Sequence, residues 1–555
     1  MNKVKINLES LKSFFSYIPM IFIYIFDVAY IWKNHYTLLE SDLASEYILA
    51  KQLNSEGVFS FISNNWYYST ELRVLNTNIV NKIAFGLFPD NWRAARTVSV
   101  ALLLLILAFS AIYLMRAVDL KKYAPFFAAL MLLPFGNWYS WDVIFNSYYV
   151  PHISISLVSV GLFIRIIGET HKKKLSVLLF SALILSLSAG MGGVRQLMIC
   201  YVPLGIASLI FIWKDHLKKS DVMLTGKVCE KTGSNLRSKI DFVKNDLTIR
   251  ALIMSIIYGI SAVIGFLIND RILAKHIQYS PKSAAIWAET DILNIWKTSS
   301  DLLYNFGWKN YAAYLSVHGI GNFLVIFMLI TGVVCLIKLI KSGKADVKHR
   351  LAGYISLAVF SVHFFIYGFG EGNNYFISYW ITYLPFFFLP IIIFISYEKR
   401  VLARTLTAGV VSLSLLMSSI SRYRIPWDIA VPNNTNIKPV AEYLLENGYD
   451  TGIATFWYSG LITAYADGKI EMWTVNSLEN LQINDWLQKA DHMSSLPKGR
   501  TALIRHTRDL SSEDPIIKWA VENTAQNIVY RDDNYIVYEF GDIMNYIETV
   551  LKFNG

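Results

Sequence analysis

Three carboxylates stand close together in the segment YTLLESDLASEYILAKQL, directly after a long apolar run. Asp42 and Glu46 are four residues apart, so a helix beginning near Ser41 would place both on one face, with Glu40 just before it. A carboxylate beside a low-dielectric wall binds its proton more tightly, which suits general-base chemistry. A helix capped by Ser41 or Asp42, with Glu46 in solvent, explains the spacing at least as well. The position of these carboxylates beside an apolar segment is what favours a role as a general base.

A second acid stands among aromatic residues in GNWYSWDVIFNSYYVPH. An interfacial belt explains the rings, but it does not explain Asp142. Because aromatic faces also stack on the C–H surfaces of sugars, acids amid rings fit a glycan site. We therefore predict Asp42, Asp142 and Glu46 as catalytic residues. We predict Glu40 and the aromatic side chains of this segment as substrate contacts, namely Trp138, Trp141 and His152.

One cation occupies the short turn SAGMGGVRQLM, where flexible glycines precede Arg195. A charge at membrane depth is costly unless it has a partner. Arg195 either pairs with a buried acid, with Asp27 in the first apolar segment the obvious candidate, or binds an anionic headgroup such as a lipid phosphate. The sequence gives these two interpretations nearly equal weight.

Two further polar segments contribute candidates. NNWYYSTELRVLN carries Glu71 and Arg73, and FGEGNNYFISYWITYLP carries Glu371, Asn374 and Tyr375. Surface-helix charge and ordinary loop chemistry explain most of these residues. We include only Glu71 and Tyr375 among the predicted substrate contacts. The sequence contains no Cys/His metal spacing, no nucleophile elbow and no glycine-rich nucleotide motif.

The elements that must hold these residues are membrane helices. The 555 residues are 54% hydrophobic, 15% aromatic and only 17% charged, and the mean hydropathy is +0.38. Such a composition indicates a polytopic membrane protein. We predict about eleven spanning helices, the first an uncleaved anchor, near 13–32, 95–115, 123–136, 148–164, 175–190, 196–213, 251–269, 321–340, 351–369, 380–397 and 402–420.

Charge distribution predicts the orientation of these helices. With a cytoplasmic N-terminus, the inside segments hold 27 of the 51 Lys and Arg residues and the outside loops hold 12. This bias follows the positive-inside rule and places the tail outside the cell. It also accounts for most of the net charge of +10, so nucleic-acid binding is not expected. All three cysteines, Cys200, Cys229 and Cys335, fall in predicted membrane or cytoplasmic positions, and no disulfide is implied.

Two external loops and the tail are too long to be simple connections. Helical periodicity in loops 33–94 and 270–320 predicts helices that roof the bundle on its outer side. After residue 420 the sequence alternates helical and strand-like segments, with a hairpin turning at Asp533 and Asn534. We therefore predict a transmembrane module over 1–420 and an extracytoplasmic α/β domain over 421–555.

The motifs ESDLASE, SWDVIF and NNYFISYWITYLP, with an external α/β tail, resemble the GT-C superfamily of membrane glycosyltransferases. The resemblance covers the whole chain in architecture, although its motifs are short. It implies a mostly α membrane bundle, a polyprenyl-phosphate sugar donor, and a first-loop aspartate, here Asp42, that acts as base or positions the acceptor. Asp142 takes the place of the second-loop acid. No Asp-x-Asp pair accompanies it, which argues against a bound divalent metal, and NNYF stands where many relatives have an Arg-Tyr pair.

The resemblance and the residues together predict an inverting transfer at the plasma membrane of a bacterium. A sugar would move from lipid phosphate, held by Arg195, to an extracytoplasmic glycan acceptor activated by Asp42. Two other classes fit the helices. A lipid-linked polysaccharide polymerase or ligase would present several outward arginines, and a transporter would show internal repeats, of which none is clear in this sequence.

Overall fold

The computed structural model describes residues 15–69, 72, 75–216, 246–275, 278–279, 292–309, 316–342, 345–369, 377–424, 437–477, 482–507, 525–546 and 548. The predicted residues Glu71, Arg73, Cys229, Glu371, Asn374 and Tyr375 lie outside them. The chain is mostly helical, as the sequence predicts, because in lipid every backbone N–H and C=O must find its partner within the segment.

Eleven helices of the described chain coincide with the predicted membrane segments. They are α1 (Ile18–Lys33), α4 (Trp92–Ala117), α5 (Ala124–Leu132), α6 (Val150–Gly168), α7 (Lys172–Gly190), α8 (Val194–Lys214), α9 (Leu247–Arg271), α11 (Val317–Lys341), α12 (Val347–Phe369), α13 (Leu384–Tyr397, after a 3₁₀ turn at Ile377–Thr382) and α14 (Val401–Arg424). Nine of them, all except α1 and α5, belong to stretches long and apolar enough to span a membrane. The chain is therefore a multi-pass membrane protein.

The predicted segment 123–136 is the main difference. Helix α5 has only nine residues, because Leu133 precedes Pro134 and takes an extended conformation (ψ 128°). Gly136 then adopts a left-handed conformation with φ of +71°, and a Cβ there would lie 2.0 Å from the carbonyl oxygen of Asn305. A π-helical turn over Tyr139–Phe145 follows and carries Asp142. The proline and the glycine therefore end a short helix and redirect the chain into an acid-bearing turn.

Loop 33–94 is helical where its periodicity predicts. It contains α2 (Ser41–Ser55) and α3 (Asn78–Leu87), and loop 270–320 contains α10 (Ile292–Asn305). A small sheet joins three distant segments: β1 (Trp66–Tyr68) pairs parallel with β2 (Gln278–Tyr279) and antiparallel with β5 (Gln488–Lys489). The two loops and the tail are thus linked by backbone hydrogen bonds.

The C-terminal part has the α/β character that the sequence predicts. Helix α15 (Lys438–Glu446) precedes β3 (Thr451–Thr455), and α16 (Phe456–Tyr465) leads to β4 (Glu471–Val475). Strands β6 (Thr501–His506), β7 (Asn527–Arg531) and β8 (Tyr535–Phe540) complete a sheet of order β4-β3-β6-β8-β7. Strand β3 is parallel to β4 and β6, whereas β6, β8 and β7 are antiparallel neighbours. The predicted hairpin at 533–534 is confirmed.

The C-terminal sheet layer and loop 33–94 share one hydrophobic core. Leu43 and Tyr47 of α2 are buried in the same cluster as Ile462 of α16 and Val537 of β8. The Ser41 hydroxyl donates to the backbone carbonyl of Trp457 at 2.7 Å. Helix α2, which carries the predicted acids, is therefore held from one side by the tail.

Candidate functional site

The acid-bearing helix α2 begins at Ser41, as predicted, but neither predicted side chain caps it. Glu40 is the N-cap residue, with extended backbone angles, and no side chain makes a capping hydrogen bond. Ser41 contacts the tail instead. Asp42 lies in the first turn and is exposed, while Glu40 is half-buried. The helix N-terminus therefore presents one open carboxylate and one partly enclosed carboxylate, and its dipole favours both negative charges.

Asp142 belongs to the same cluster, although it is a hundred residues away in sequence. It is 6% exposed, and its Oδ2 atom is buried without a hydrogen-bond partner. Burial, and then repulsion from Glu40 and Asp42, raises the pKa of Asp142 well above its ordinary value. The Trp141 indole N–H donates to Glu40 Oε2 at 3.2 Å. The structure thus brings together Glu40, Asp42 and Asp142 from two segments that are distant in sequence.

The Glu40 side chain is poised to titrate near neutral pH. Burial and the nearby Asp42 carboxylate raise its pKa to about 7, whereas the Tyr148 hydroxyl, the Trp141 indole and the Arg96 guanidinium oppose the rise. An acid with such a pKa exchanges its proton at physiological pH. The cluster therefore contains an exposed aspartate beside two carboxyl groups that favour their protonated forms.

Arg96 is the buried cation of this site, and it lies at the start of α4. It is 0% exposed and donates to the carbonyl oxygens of His35 (2.5 Å) and Leu38 (2.8 Å) and to Asn146 Oδ1 (2.9 Å). Sequence reasoning missed Arg96 and Asn146. The signal available was a charged residue within the predicted span 95–115, which is costly unless it is partnered.

Glu46 lies on α2 as predicted, but it faces helix α3 rather than swinging freely in solvent. Its Oε2 atom accepts hydrogen bonds from Thr77 Oγ1 at 2.6 Å and from Asn81 Nδ2 at 3.1 Å. Asn81 in turn accepts a hydrogen bond from Ser99 of α4. These contacts indicate that Glu46 aligns α2 on its neighbours.

The buried acid of the first helix is partnered by tyrosine. Asp27 is 0% exposed, and its Oδ1 atom accepts a hydrogen bond from the Tyr423 hydroxyl at 2.5 Å. Arg195 is half-buried in α8, where it lies over the Tyr149 ring at 5.7 Å and donates to the Tyr149 hydroxyl at 3.4 Å. The structure thus gives Asp27 a partner other than Arg195, which leaves the anionic-ligand interpretation of Arg195 as the prediction.

The predicted aromatic contacts differ in accessibility. Trp138 is half-buried, but Trp141 is 2% exposed and presents its indole N–H, rather than an open ring face, to the cluster. His152 is 5% exposed and its Nδ1 atom lies 3.1 Å from Gln196 Oε1. Of the three, Trp138 therefore has the most accessible ring, while Trp141 and His152 are buried and make polar contacts.

Within the described ranges no group of three or more His, Cys, Asp or Glu side chains has the geometry to hold a metal ion. Cys200 and Cys335 are buried free thiols.

The fold defines a class: the chain is a multi-pass membrane protein with the GT-C fold. It is similar over 94% of its length to the crystal structure of ArnT from Cupriavidus metallidurans bound to undecaprenyl phosphate, with 97% of that chain covered, a TM-score of 0.51 and 10% identity. It also aligns with the Archaeoglobus fulgidus oligosaccharyltransferase in complex with Zn and sulfate, covering 91% of this chain and 70% of that one, with a TM-score of 0.43 and 12% identity. No protein-family model and no curated protein sequence matches the chain. At these identities the likeness concerns the fold.

Proposed function

We propose that the chain is an integral membrane glycosyltransferase. It moves a sugar from a polyprenyl-phosphate donor to an extracytoplasmic acceptor, such as a cell-surface glycan, with inversion at the anomeric carbon. The observation that carries the proposal is the convergence of Glu40, Asp42 and Asp142 where two external segments meet beside the membrane helices. Similarity in fold to ArnT, whose crystal structure contains undecaprenyl phosphate, supports a lipid-linked donor.

Asp42 is the proposed base because it is the exposed carboxylate of the cluster. It accepts the proton of an acceptor hydroxyl, whose oxygen bonds to the anomeric carbon while the bond from that carbon to the phosphate oxygen breaks. Polyprenyl phosphate leaves with the bonding electron pair. Glu40 and Asp142, which favour their protonated forms, donate hydrogen bonds to substrate oxygens without adding negative charge beside the base.

Arg195 is the proposed phosphate ligand. A guanidinium binds a phosphate with two parallel hydrogen bonds, and stacking on Tyr149 holds its plane. Arg195→Lys should raise the KM for the donor roughly tenfold, with little change in thermal stability. Arg165→Lys is a matched control, because Arg165 also lies over a tyrosine ring, that of Tyr113. An unchanged donor KM in Arg195→Lys would remove Arg195 from the site.

The proposal is tested with the purified full-length chain in proteoliposomes. Undecaprenyl-phosphate sugars, labelled in the sugar, are supplied one at a time with surface glycans of a bacterial cell envelope. Transfer of label to glycan, with equimolar release of undecaprenyl phosphate and an inverted linkage by NMR, is the expected result. Long repeating products would indicate a polymerase, and movement of intact donor across the vesicle wall would indicate a transporter. Either outcome would overturn the proposal.

A further inference from the structure

Arg96 contacts both of the segments that bring carboxylates to the site. The carbonyl groups of His35 and Leu38 precede Glu40 on the same stretch of chain. The carbonyl group of Phe145 (3.4 Å) and the side-chain oxygen of Asn146 (2.9 Å) follow Asp142 on the other stretch. A single guanidinium therefore joins two acid-bearing segments that lie about a hundred residues apart in the sequence.

The chemistry of arginine suits this contact. The planar guanidinium carries five N–H donors in a fixed arrangement, whereas a lysine ammonium is a point charge on a flexible stem. Two nitrogens of Arg96 donate to four acceptors here. One rigid group therefore fixes the positions of these acceptors relative to one another. A lysine would keep the charge and lose this geometry.

The Arg96 guanidinium also interacts electrostatically with the carboxyl cluster. Burying an arginine away from water is costly, and carbonyl dipoles offset only part of that cost. The Arg96 guanidinium opposes the rise in the pKa of Glu40 that burial and Asp42 cause. The same residue thus affects both the placement of the carboxylates and the charge that one of them carries.

We infer that Arg96 is a positioning residue, which sets the separation of the Glu40–Asp42 segment from the Asp142 segment. The catalytic consequence rests on the proposed glycosyl transfer. The structural consequence does not, so the two are tested separately.

The first test measures backbone hydrogen exchange in the full-length chain. Arg96→Lys and Arg96→Met should speed exchange in the segments 35–40 and 139–147 together, by about tenfold, because both lose the same anchor. Arg93→Met is the matched control: Arg93 stands one turn earlier on α4, and its contacts are the Trp32 carbonyl and ring. Faster exchange in one segment alone, or in neither, would contradict the inference whether or not the chain is a transferase.

The second test compares the pH dependence of transfer. The groups that face Glu40 are Asp42, Asp142, Tyr47, Tyr148, Trp141 and Arg96. Arg96→Met removes a cation that lowers the pKa of Glu40, so the basic limb of the profile, where Glu40 loses the proton that it donates to substrate, should move to higher pH by at least half a unit. Arg96→Lys should leave that limb in place and still lower kcat at unchanged donor KM.

Two results would overturn the catalytic part. One is full kcat in Arg96→Lys, which would show that only charge matters. The other is an unmoved basic limb in Arg96→Met. If Arg96→Met does not fold, Asn146→Leu removes one acceptor without a charge change, and it should loosen the segment 139–147 more than the segment 35–40. Equal exchange in both segments of that variant would contradict the anchor geometry.

Discussion

Asp42 and Asp142 have the same side chain and opposite surroundings. Asp42 is exposed at the first turn of a helix, where a substrate hydroxyl can reach it, while Asp142 is 6% exposed in a π-helical turn. Burial disfavours the charged form, so Asp142 holds its proton more tightly than an ordinary aspartate. The site thus separates a group that can accept a proton from one that can donate a hydrogen bond, as acid–base catalysis requires.

Glu40 gives this separation a measurable pH dependence. Its pKa of about 7 lies above the value in an unfolded chain, so its contribution to stability is present at low pH and lost as the pH rises through 7. Glu40→Gln keeps the shape and cannot ionise. Thermal unfolding should therefore find the variant more stable relative to wild type at pH 8 than at pH 5.

A carboxylate on the exposed end of α15 supplies the control for this prediction. Glu446→Gln should change the melting temperature equally at the two pH values. If the difference between Glu40→Gln and wild type were the same at pH 5 and pH 8, the pKa of Glu40 would not be raised by folding.

At the scale of elements, Glu46 aligns α2. Its carboxylate accepts hydrogen bonds from Thr77 and Asn81, next to and within α3. Glu46→Ala should lower the free energy of unfolding by roughly 1–3 kcal/mol, because it leaves these donors without their acceptor. Glu46→Gln keeps an acceptor oxygen and should lose clearly less. Chemical denaturation distinguishes the two variants, and equal losses would show that charge, not hydrogen bonding, is what Glu46 supplies.

The helices were predictable because apolar runs are local in sequence. Hydropathy placed α4, α6 and α11 within a few residues, and turn chemistry placed the hairpin before β8. The short helix α5 differed from the prediction, although Pro134 marks where it ends. A window of apolar residues does not register a single proline at its edge.

The acidic residues of the site could be predicted from the sequence, but the contacts that join their segments could not. Asp42 and Asp142 stand out by type and position, whereas Arg96 acquires its role only when residues 35–38 and 145–146 fold around it. Likewise, the sequence does not show that Trp141 directs its N–H to Glu40. Such contacts form between segments that are distant in the sequence, and no local sequence pattern predicts them.

At the scale of the whole molecule, the tail and loop 33–94 are packed as one unit. The Cβ position of Gly460 on α16 lies 3.4 Å from the Ala44 Cβ on α2. Gly460→Leu should therefore separate the two helices, lower the melting temperature by several degrees and reduce transfer. Gly409→Leu is the matched control, since that helical glycine has open space around it. Comparable effects of both changes would mean that the contact between α16 and α2 is not important.

The orientation of the molecule is a separate prediction. The excess of Lys and Arg in the predicted inside segments places the tail outside the cell. A phosphatase reporter fused after Arg422 should be active, since this enzyme folds only outside the cytoplasm, and a reporter placed in 214–250 should be inactive. The reverse pattern would place the carboxyl cluster on the cytoplasmic side and contradict an extracytoplasmic acceptor.

The central claim is that Asp42 is the base of a glycosyl transfer, and one substitution tests it most directly. Asp42→Asn preserves the shape of the side chain and removes the proton acceptor. The purified variant should therefore fold normally, and its rate of sugar transfer from an undecaprenyl-phosphate donor should fall by roughly 10²-fold or more. Asp90→Asn makes the same chemical change at an exposed site before α4 and should transfer at the wild-type rate. Near wild-type transfer by Asp42→Asn would contradict the proposal that Asp42 is the base. It would leave α2 with a structural role alone.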